Sequence, residues 1–472
     1  MASEMPLPGL ISFEPLETVG HTGIAADREA AVTAAELRID RLIAAIDELL
    51  TEQVNTIIHH PRFQALEASW RSLVRLVGTA GRNPRIKVRV LDIRWTEVCR
   101  DLERAIEFDG SHLFRKIYED EFGMPGGEPF GLLVGDYQLV HRRGWGHPTD
   151  DVAALQALSR IAAAAFAPLL LGVAPELFGL DSFAELSMPR DLAAVLRLPE
   201  YQRWLSFQEG EDSRFVGLVL PRVLGRPAYR DDDTRRDGFR FEEARDRHEA
   251  VLWGCGAYGF ASVVMRAFDE SGWFTHIRGG VLGVEEGGLV PDLDIPWFET
   301  DFRNVATIFP GEAIIEDAQE SALCELGFIS MVRANGTSLG VFCGNASAQR
   351  PRSYDRLAAN VNARLSSMLQ YVLCVSRFAH YIKVIGRDTV GAAKSPEEIE
   401  EKLQTWVQRY VSVTDGASLA TLARYPLREA RIEVKELSGK PGSYYCTAHL
   451  KPHFQIERVE TSFRLVTELA AA

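Results

Sequence analysis

The sequence predicts a mixed α/β fold (α+β), with a helical arm at the N-terminus and β-strands at the C-terminus. Apolar residues recur at helical spacing from Ile39 to Ile57. Strand-like and helix-like stretches then alternate from Arg85 onwards, and residues 424–469 alternate apolar and polar side chains as strands do. Because helices and strands present faces of different period, these patterns predict both kinds of element in one chain.

The N-terminal arm is predicted to form two helices behind a flexible tail. Residues 1–30 contain Pro and Gly without any apolar period, which is typical of such a tail. Thr33 and Glu36 have the spacing of a capping box that would start the first helix. Pro61 disfavours helical geometry at the residue before it and so separates the second helix, which ends at Gly78.

The first helix carries an apolar stripe, which has two interpretations. It packs against its own domain, or it pairs with a helix of another chain, since it precedes the main body and follows a tail. Both interpretations stay open at this point. The stripe, called the arm stripe below, comprises Ile39, Leu42, Ile43, Ile46, Leu49, Leu50 and Ile57.

The middle of the chain is predicted to alternate between strands and helices. A further helix should start at Ser395, whose side chain would cap it, with Pro396 in the first turn. The other predicted elements are strands at Ile86–Val90, Phe130–Val134 and Phe215–Leu220, and helices at Asp150–Ala167, Val251–Phe268 and Tyr354–Ile385.

The end of the chain is predicted to form three consecutive strands. Apolar and charged residues alternate from Ala430 to Lys435, and the Gly- and Pro-containing segment 438–442 turns the chain into Tyr444–Leu450. A chain that ends in strands must bury, cover or share their edges, so the partner of these edges decides the function. The third strand has one apolar side, made by Val459, Thr461, Phe463 and Leu465.

Basic residues line the first of these strands. Arg428, Arg431 and Lys435, with Lys440 in the turn, would face either an acidic surface of a partner or solvent. Both interpretations suit a strand with one wet face.

Composition and charge exclude several classes of protein. The chain has 472 residues, 46% of them hydrophobic and 25% charged, as in ordinary folded proteins. Its net charge of −14 disfavours broad binding to nucleic acid or anionic lipid. The six cysteines are scattered without CxxC spacing, which favours reduced thiols. The N-terminus lacks the pattern of a signal peptide and no apolar run is long enough to span a bilayer, so we expect a cytoplasmic protein without membrane insertion.

One glycine motif invites a catalytic interpretation. Gly254, Gly256 and Gly259 match G-x-G-x-x-G, but the stretch before them is highly charged and no acid follows at the required distance. We therefore favour a helix packed closely through glycine, with a nucleotide-binding cytoplasmic enzyme as the alternative. The sequence contains no GxxxxGK[ST], GxSxG or HExxH, and we expect no catalytic residue, no metal ligand and no cofactor.

Several motifs together resemble a known family. They are His59-His60-Pro61-Arg62-Phe63-Gln64-Ala65-Leu66-Glu67 with Trp70, Gly126-Gly127-Glu128-Pro129-Phe130-Gly131 with Gly135-Asp136-Tyr137, Glu211-Asp212-Ser213-Arg214 before Leu220-Pro221-Arg222, Trp253-Gly254, Ile277-Arg278-Gly279, Ser376-Arg377-Phe378-Ala379-His380-Tyr381, and Arg424-Tyr425-Pro426-Leu427-Arg428-Glu429-Ala430. From about residue 55 to the end, the chain resembles the large sheath subunit of bacterial type VI secretion systems, the TssC/VipB family.

The resemblance implies a phage-tail-sheath-like, non-enzymatic subunit of several domains. Heterodimers with a small sheath subunit (TssB/VipA) would stack helically on a baseplate and around an inner tube of Hcp rings, and contraction would drive the tube out of the cell. Terminal strands would interlock with other copies of the chain, and the ATPase ClpV would act on it indirectly, through the small subunit.

The resemblance also implies roles and domain limits. The arm stripe would pair with the small subunit, and the terminal strands and their basic residues would meet a neighbour or the tube. We expect a tail at 1–30, a helical arm at 31–80, α/β sheath domains at 81–385 and a C-terminal sheath domain at 386–472. Cys255-Gly256 departs from the family's more usual small polar and alanine pair, which leaves a divergent large-subunit paralogue as an alternative.

Overall fold

The computed structural model describes residues 26–81, 83–124, 126–144, 146–188, 190–231, 238–244, 250–280, 286–294, 309–334, 337–390, 395–412, 418–437, 443–453 and 463–469. The chain divides into two compact units. One consists of Met1–Ile58 with Tyr229–Ala244, and the other of His59–Ala228 with Arg245–Ala472. The four-part domain division expected from the sequence stays a prediction.

Helices and strands alternate along the chain, and the first helix lies in the smaller unit. The helices are α1 (Ala26–Ile58), α2 (Pro61–Ala80), α3 (Trp95–Arg104), α4 (His112–Phe114), α5 (Asp151–Ala165), α6 (Leu192–Leu196), α7 (Gln202–Gln208), α8 (Gly256–Ser271), α9 (Asp317–Glu325), α10 (Leu357–Ser366), α11 (Leu369–Val390), α12 (Pro396–Gln408) and α13 (Leu419–Arg424). The strands are β1 (Leu133–Leu139), β2 (Leu169–Val173), β3 (Val216–Leu220), β4 (Val223–Leu224), β5 (Trp253–Gly254), β6 (Phe328–Arg333), β7 (Gly340–Phe342), β8 (Leu427–Glu436), β9 (Tyr444–Pro452) and β10 (Phe463–Leu469).

A mostly parallel sheet forms the centre of the larger unit. Within the described ranges its order is β1-β2-β3-β6-β7, with β7 antiparallel to β6. Neighbouring residues of β2 point to opposite faces: Leu169 and Leu171 join the apolar cluster that includes α5, and Leu170 joins the cluster that includes α8. The helices thus cover both faces, as parallel strands require.

The terminal strands form a separate antiparallel sheet, as the alternation predicts. Its order is β10-β9-β8, so the prediction of three consecutive strands is confirmed. The apolar face of β8 and β9 packs on α11 and α12, where Phe378, Ile399 and Ile432 are buried. The predicted start of α12 is also confirmed, because the Ser395 side chain accepts a hydrogen bond from the backbone N–H of Glu398.

Three predicted elements of the middle region need correction. Ile86–Val90 forms no strand, because its alternating residues find no strand neighbour in the described structure. The strand predicted at Phe130–Val134 starts at Leu133 and runs on through a bulge between Gly135 and Gln138, which interrupts the alternation. The helix predicted from Val251 begins at Gly256, since Trp253 and Gly254 pair with β4 instead.

The long helix predicted at Tyr354–Ile385 is wrong as a single element. It is divided into α10 and α11 at Ser367 and Met368. The backbone N–H of Ser347 donates to the carbonyl of Ser367 at 2.9 Å, and the N–H of Leu369 donates to the carbonyl of Asn345 at 2.8 Å. These bonds satisfy the backbone groups at the break, so the apolar periodicity continues while the helix does not.

The first helix starts earlier than the sequence predicts. α1 begins at Ala26, so Thr33 and Glu36 lie inside it and the predicted capping box is wrong as a helix start. Ala, Arg and Glu dominate the added turns and have high helix propensity. Residues 1–25 of the predicted tail lie outside the described residues. None of the described helices has the length and apolar character needed to cross a membrane.

Candidate assembly surfaces

The arm stripe on α1 is exposed to solvent. Each of its seven side chains keeps between 38% and 58% of its surface accessible. Within its own compact unit, α1 is held to the 229–244 segment by a hydrogen bond from the backbone N–H of Ala244 to the Asn55 side chain, at 3.2 Å. Contiguous apolar surface of this kind typically marks a protein–protein contact.

α2 has two different faces, which sequence reasoning did not separate. Its buried residues are small or medium in size, as Ala68, Ser72 and Leu76 show. Its larger apolar residues point outward. They are Phe63, Leu66, Trp70, Val74 and Val77, with exposures from 40% to 66%, and are called the α2 face below. The available signal was that small residues share one side of this helix while large ones share another.

Polar contacts fix α2 to the rest of its unit. Arg226 Nε and Arg71 Nε each lie 2.7 Å from Glu67 Oε1. Burial raises the pKa of Glu67, but the hydrogen bonds and charges of Arg226 and Arg71 outweigh it, so the net pKa lies below its usual value.

A second contact ties α2 to β1. The Ser69 hydroxyl donates to the carboxylate of Asp136, whose pKa is raised by burial despite this hydrogen bond. Because these polar contacts hold the inner side of α2 against its own unit, the α2 face keeps a fixed orientation on that unit.

β10 lies at one edge of the terminal sheet. Phe463 and Leu465 lie in β10, opposite Leu450 and Ala448 of β9. β10 has a strand neighbour on one side alone within the described part of the chain. β10 also contacts α11, and the outer edge of a strand with one strand neighbour can template the addition of another strand. Val459 and Thr461, predicted to share the apolar side of this strand, lie outside the described residues.

The basic residues of β8 are exposed but share an acidic neighbour. The side chains of Arg431 and Lys435 are 73% and 80% exposed, and Arg428 is exposed as well. Arg431 Nη2 lies 3.0 Å from Glu433 Oε1, and Lys435 Nζ lies 3.9 Å from Glu433 Oε2. Glu433 partly neutralises the charge of these basic residues. Whether they face an acidic surface of a partner or solvent stays open.

The glycine motif lies at a strand–helix junction where other atoms of the protein pack closely against the glycines. A Cβ on Gly254 would lie 2.8 Å from Ser72 Oγ, and one on Gly256 would lie 2.5 Å from the Pro221 carbonyl oxygen. The preceding strand, β5, has two residues and pairs with β4 outside the central sheet. A dinucleotide site needs open space where the pyrophosphate meets the helix N-terminus, so this geometry favours the packing interpretation.

Comparison with known proteins identifies the family. The family model described as "EvpB/VC_A0108, tail sheath N-terminal domain" (VipB) matches residues 40–349, and "EvpB/VC_A0108, tail sheath gpW/gp25-like domain" matches residues 358–469. The type VI secretion system sheath protein TssC1 of Pseudomonas aeruginosa is 39% identical over 439 residues, which cover 92% of this chain and 86% of that protein.

Solved structures with remote similarity include two sheath proteins. The sheath tail protein of Desulfitobacterium hafniense has a TM-score of 0.34 at 9% identity, covering 71% of this chain and 57% of that one. The contracted helical sheath of the anti-feeding prophage has a TM-score of 0.33 at 11% identity, covering 69% and 63%. The two family models and the TssC1 relative span nearly all of the chain. The chain therefore belongs to the VipB (EvpB/VC_A0108) family of tail sheath proteins and is a structural subunit of a contractile type VI secretion sheath.

Proposed function

We propose that the helical arm pairs this subunit with the small sheath subunit, TssB/VipA. The observation that carries this proposal is the exposure of all seven side chains of the arm stripe. Full burial of one Leu or Ile side chain contributes about 1.5–3 kcal/mol, so covering seven half-exposed ones supports a stable helix pairing. The α2 face, on the larger unit, would offer the small subunit a separate apolar contact.

The terminal sheet would join neighbouring copies of the chain. A strand added beside β10 would gain backbone hydrogen bonds, which persist while the domains around them move. An interface between different patches of like subunits does not close on itself, so repetition generates a helix. Phe463 and Leu465, with Val459 and Thr461 before them, are the residues proposed to set the register of this join.

The remaining partners follow from the position of such a subunit in a sheath. The sheath would surround the Hcp tube, with Arg428, Arg431 and Lys435 facing an acidic surface of the tube or of a neighbour. It would start at the baseplate and contract to propel the tube, and ClpV would reach it through the small subunit. The proposed role needs no catalytic activity and places the assembly in the bacterial cytoplasm.

Co-expression with a neighbouring small subunit tests this function. Negative-stain electron microscopy should show tubes for the pair and none for either chain alone. Discrete oligomers that bind nucleotide would instead favour an enzyme that uses Gly254, Gly256 and Gly259. Pairing and tube formation that occur only beside another large subunit would favour a divergent paralogue.

A further inference from the structure

The edge of β8 that faces away from β9 is occupied by side chains of α12. The Gln404 side chain donates from Nε2 to the Ala430 carbonyl at 3.1 Å and accepts at Oε1 from the N–H of Ile432 at 2.8 Å. Gln408 Nε2 donates to the same Ala430 carbonyl at 3.2 Å. Glu400 Oε2 accepts from the N–H of Val434 at 2.9 Å.

The spacing of these contacts follows from the two backbones. Glu400, Gln404 and Gln408 recur every four residues, which is a rise of about 6 Å along a helix. Every second residue of a strand presents its backbone groups to the same edge, at intervals of about 6.6 Å. A helix running alongside a strand can therefore place one polar side chain against each outward peptide group.

The helix holds this position through its adjacent apolar stripe. Ile399, Leu403 and Val407 each precede one of the three polar residues and are fully buried against β8 and β9. The start of the same edge is closed by backbone, because the N–H of Leu427 donates to the Tyr410 carbonyl at 3.2 Å and its carbonyl accepts from the N–H of Ser412 at 2.9 Å.

We propose that Glu400, Gln404 and Gln408 seal the β8 edge against strand addition, so that a strand of another sheath chain enters the terminal sheet at β10. The proposal rests on the proposed function of this sheet as the join between subunits. The Gln404 amide supplies both a donor and an acceptor, as the peptide group of an added strand would. With the β8 edge occupied, a strand of another subunit can be added to this sheet only beside β10. Edge-to-edge pairing of two β8 strands is prevented as well.

The test removes the three side chains from the full-length chain. The variant E400A/Q404A/Q408A keeps good helix formers on α12, and E401A/T405A/R409A is its control, with the same spacing on exposed positions. Hydrogen exchange at the Ile432 and Val434 amides should become about tenfold faster in the first variant at low concentration, since each loses a hydrogen bond. At higher concentration the variant should self-associate in sedimentation, with protection returning in β8.

The outcomes separate the proposal from its alternatives. Unchanged exchange in β8, or faster exchange without any self-association, would overturn it, and so would the same behaviour in the control. If circular dichroism shows that the triple variant is unfolded, Gln404→Met removes both hydrogen bonds at similar side-chain size, and faster Ile432 exchange with dimer formation is the expected result. These measurements need no partner, so they stand even if deletion of β10 were to show that the sheet does not join subunits.

Discussion

His380 Nε2 on α11 lies 2.9 Å from the backbone carbonyl of Ala165 at the end of α5. The imidazole is 2% exposed, and its ring packs edge-on against Phe122 with a centroid separation of 5.4 Å. Burial, reinforced by the charges of Arg377 and Lys383, lowers the pKa of His380 to about 4 from its ordinary 6.5, against the opposing effect of the hydrogen bond to Ala165.

Acidification should therefore destabilise the larger unit through His380. Between pH 6.5 and pH 4 the unfolded chain binds a proton at this residue while the folded chain does not, so stability is full above this window and falls as the pH drops through it. By pH 5 the loss amounts to about 2 kcal/mol. Urea unfolding at pH 7 and pH 5 measures it, and His380→Gln should show a smaller drop. An equal drop in wild type and variant would contradict this account.

Placing charge on the arm stripe should prevent pairing with the small subunit. The variant I43D/I46D/L50D would bury three carboxylates in an apolar contact, so we expect loss of co-purification with an affinity-tagged small subunit. The matched control is R41D/A44D/T51D, on the other side of α1, which should pair normally. A heterodimer retained by the first variant would refute the role of this stripe.

Removal of the last strand should uncouple pairing from assembly. Deletion of 457–472 removes β10 and leaves α1 and α2 unchanged, so heterodimers should form while electron microscopy shows no filaments. Deletion of 470–472 alone, which keeps β10, provides the control. Normal sheaths from the longer deletion would exclude β10 from the join.

Substitution of Gly256 distinguishes packing from ligand binding. In Gly256→Ala the added Cβ would meet the Pro221 carbonyl oxygen at 2.5 Å. Because neighbouring atoms must shift to relieve this clash, the free energy of unfolding, measured in urea, should fall by about 1–3 kcal/mol. Gly110→Ala, where no atom lies within 4 Å of the new Cβ, should be close to neutral. Wild-type stability for Gly256→Ala would contradict the packing interpretation.

Periodicity predicted correctly those elements whose packing in the fold buries the apolar face that their own sequence pattern defines. The alternation at Ala430–Lys435 identified β8 because one face of that strand is buried and the other is wet. The same kind of alternation at Ile86–Val90 gave a wrong strand, because hydrogen-bond pairing is not encoded locally. The unbroken apolar pattern across Ser367 likewise concealed a break that contacts with Asn345 and Ser347 create.

The assembly surfaces were predicted unevenly. The arm stripe was recognised because its apolar residues share one side of a helix. The α2 face was missed as a surface, since an apolar side chain looks alike in sequence whether it is buried or exposed. The polar row on α12 left a signal, with Glu400, Gln404 and Gln408 each one residue after a core position, but its partner on β8 became visible only in three dimensions.

The break between α10 and α11 has a consequence for how the chain tolerates cleavage. The family match to the first region ends at residue 349 and the match to the second begins at 358, yet Asn345 and Ser347 bond across to Leu369 and Ser367. Residues 352–356 between them are exposed. These backbone hydrogen bonds join the two regions independently of the peptide chain between them. Fragments 1–353 and 354–472, made in the same cell, should therefore complement each other as a split protein.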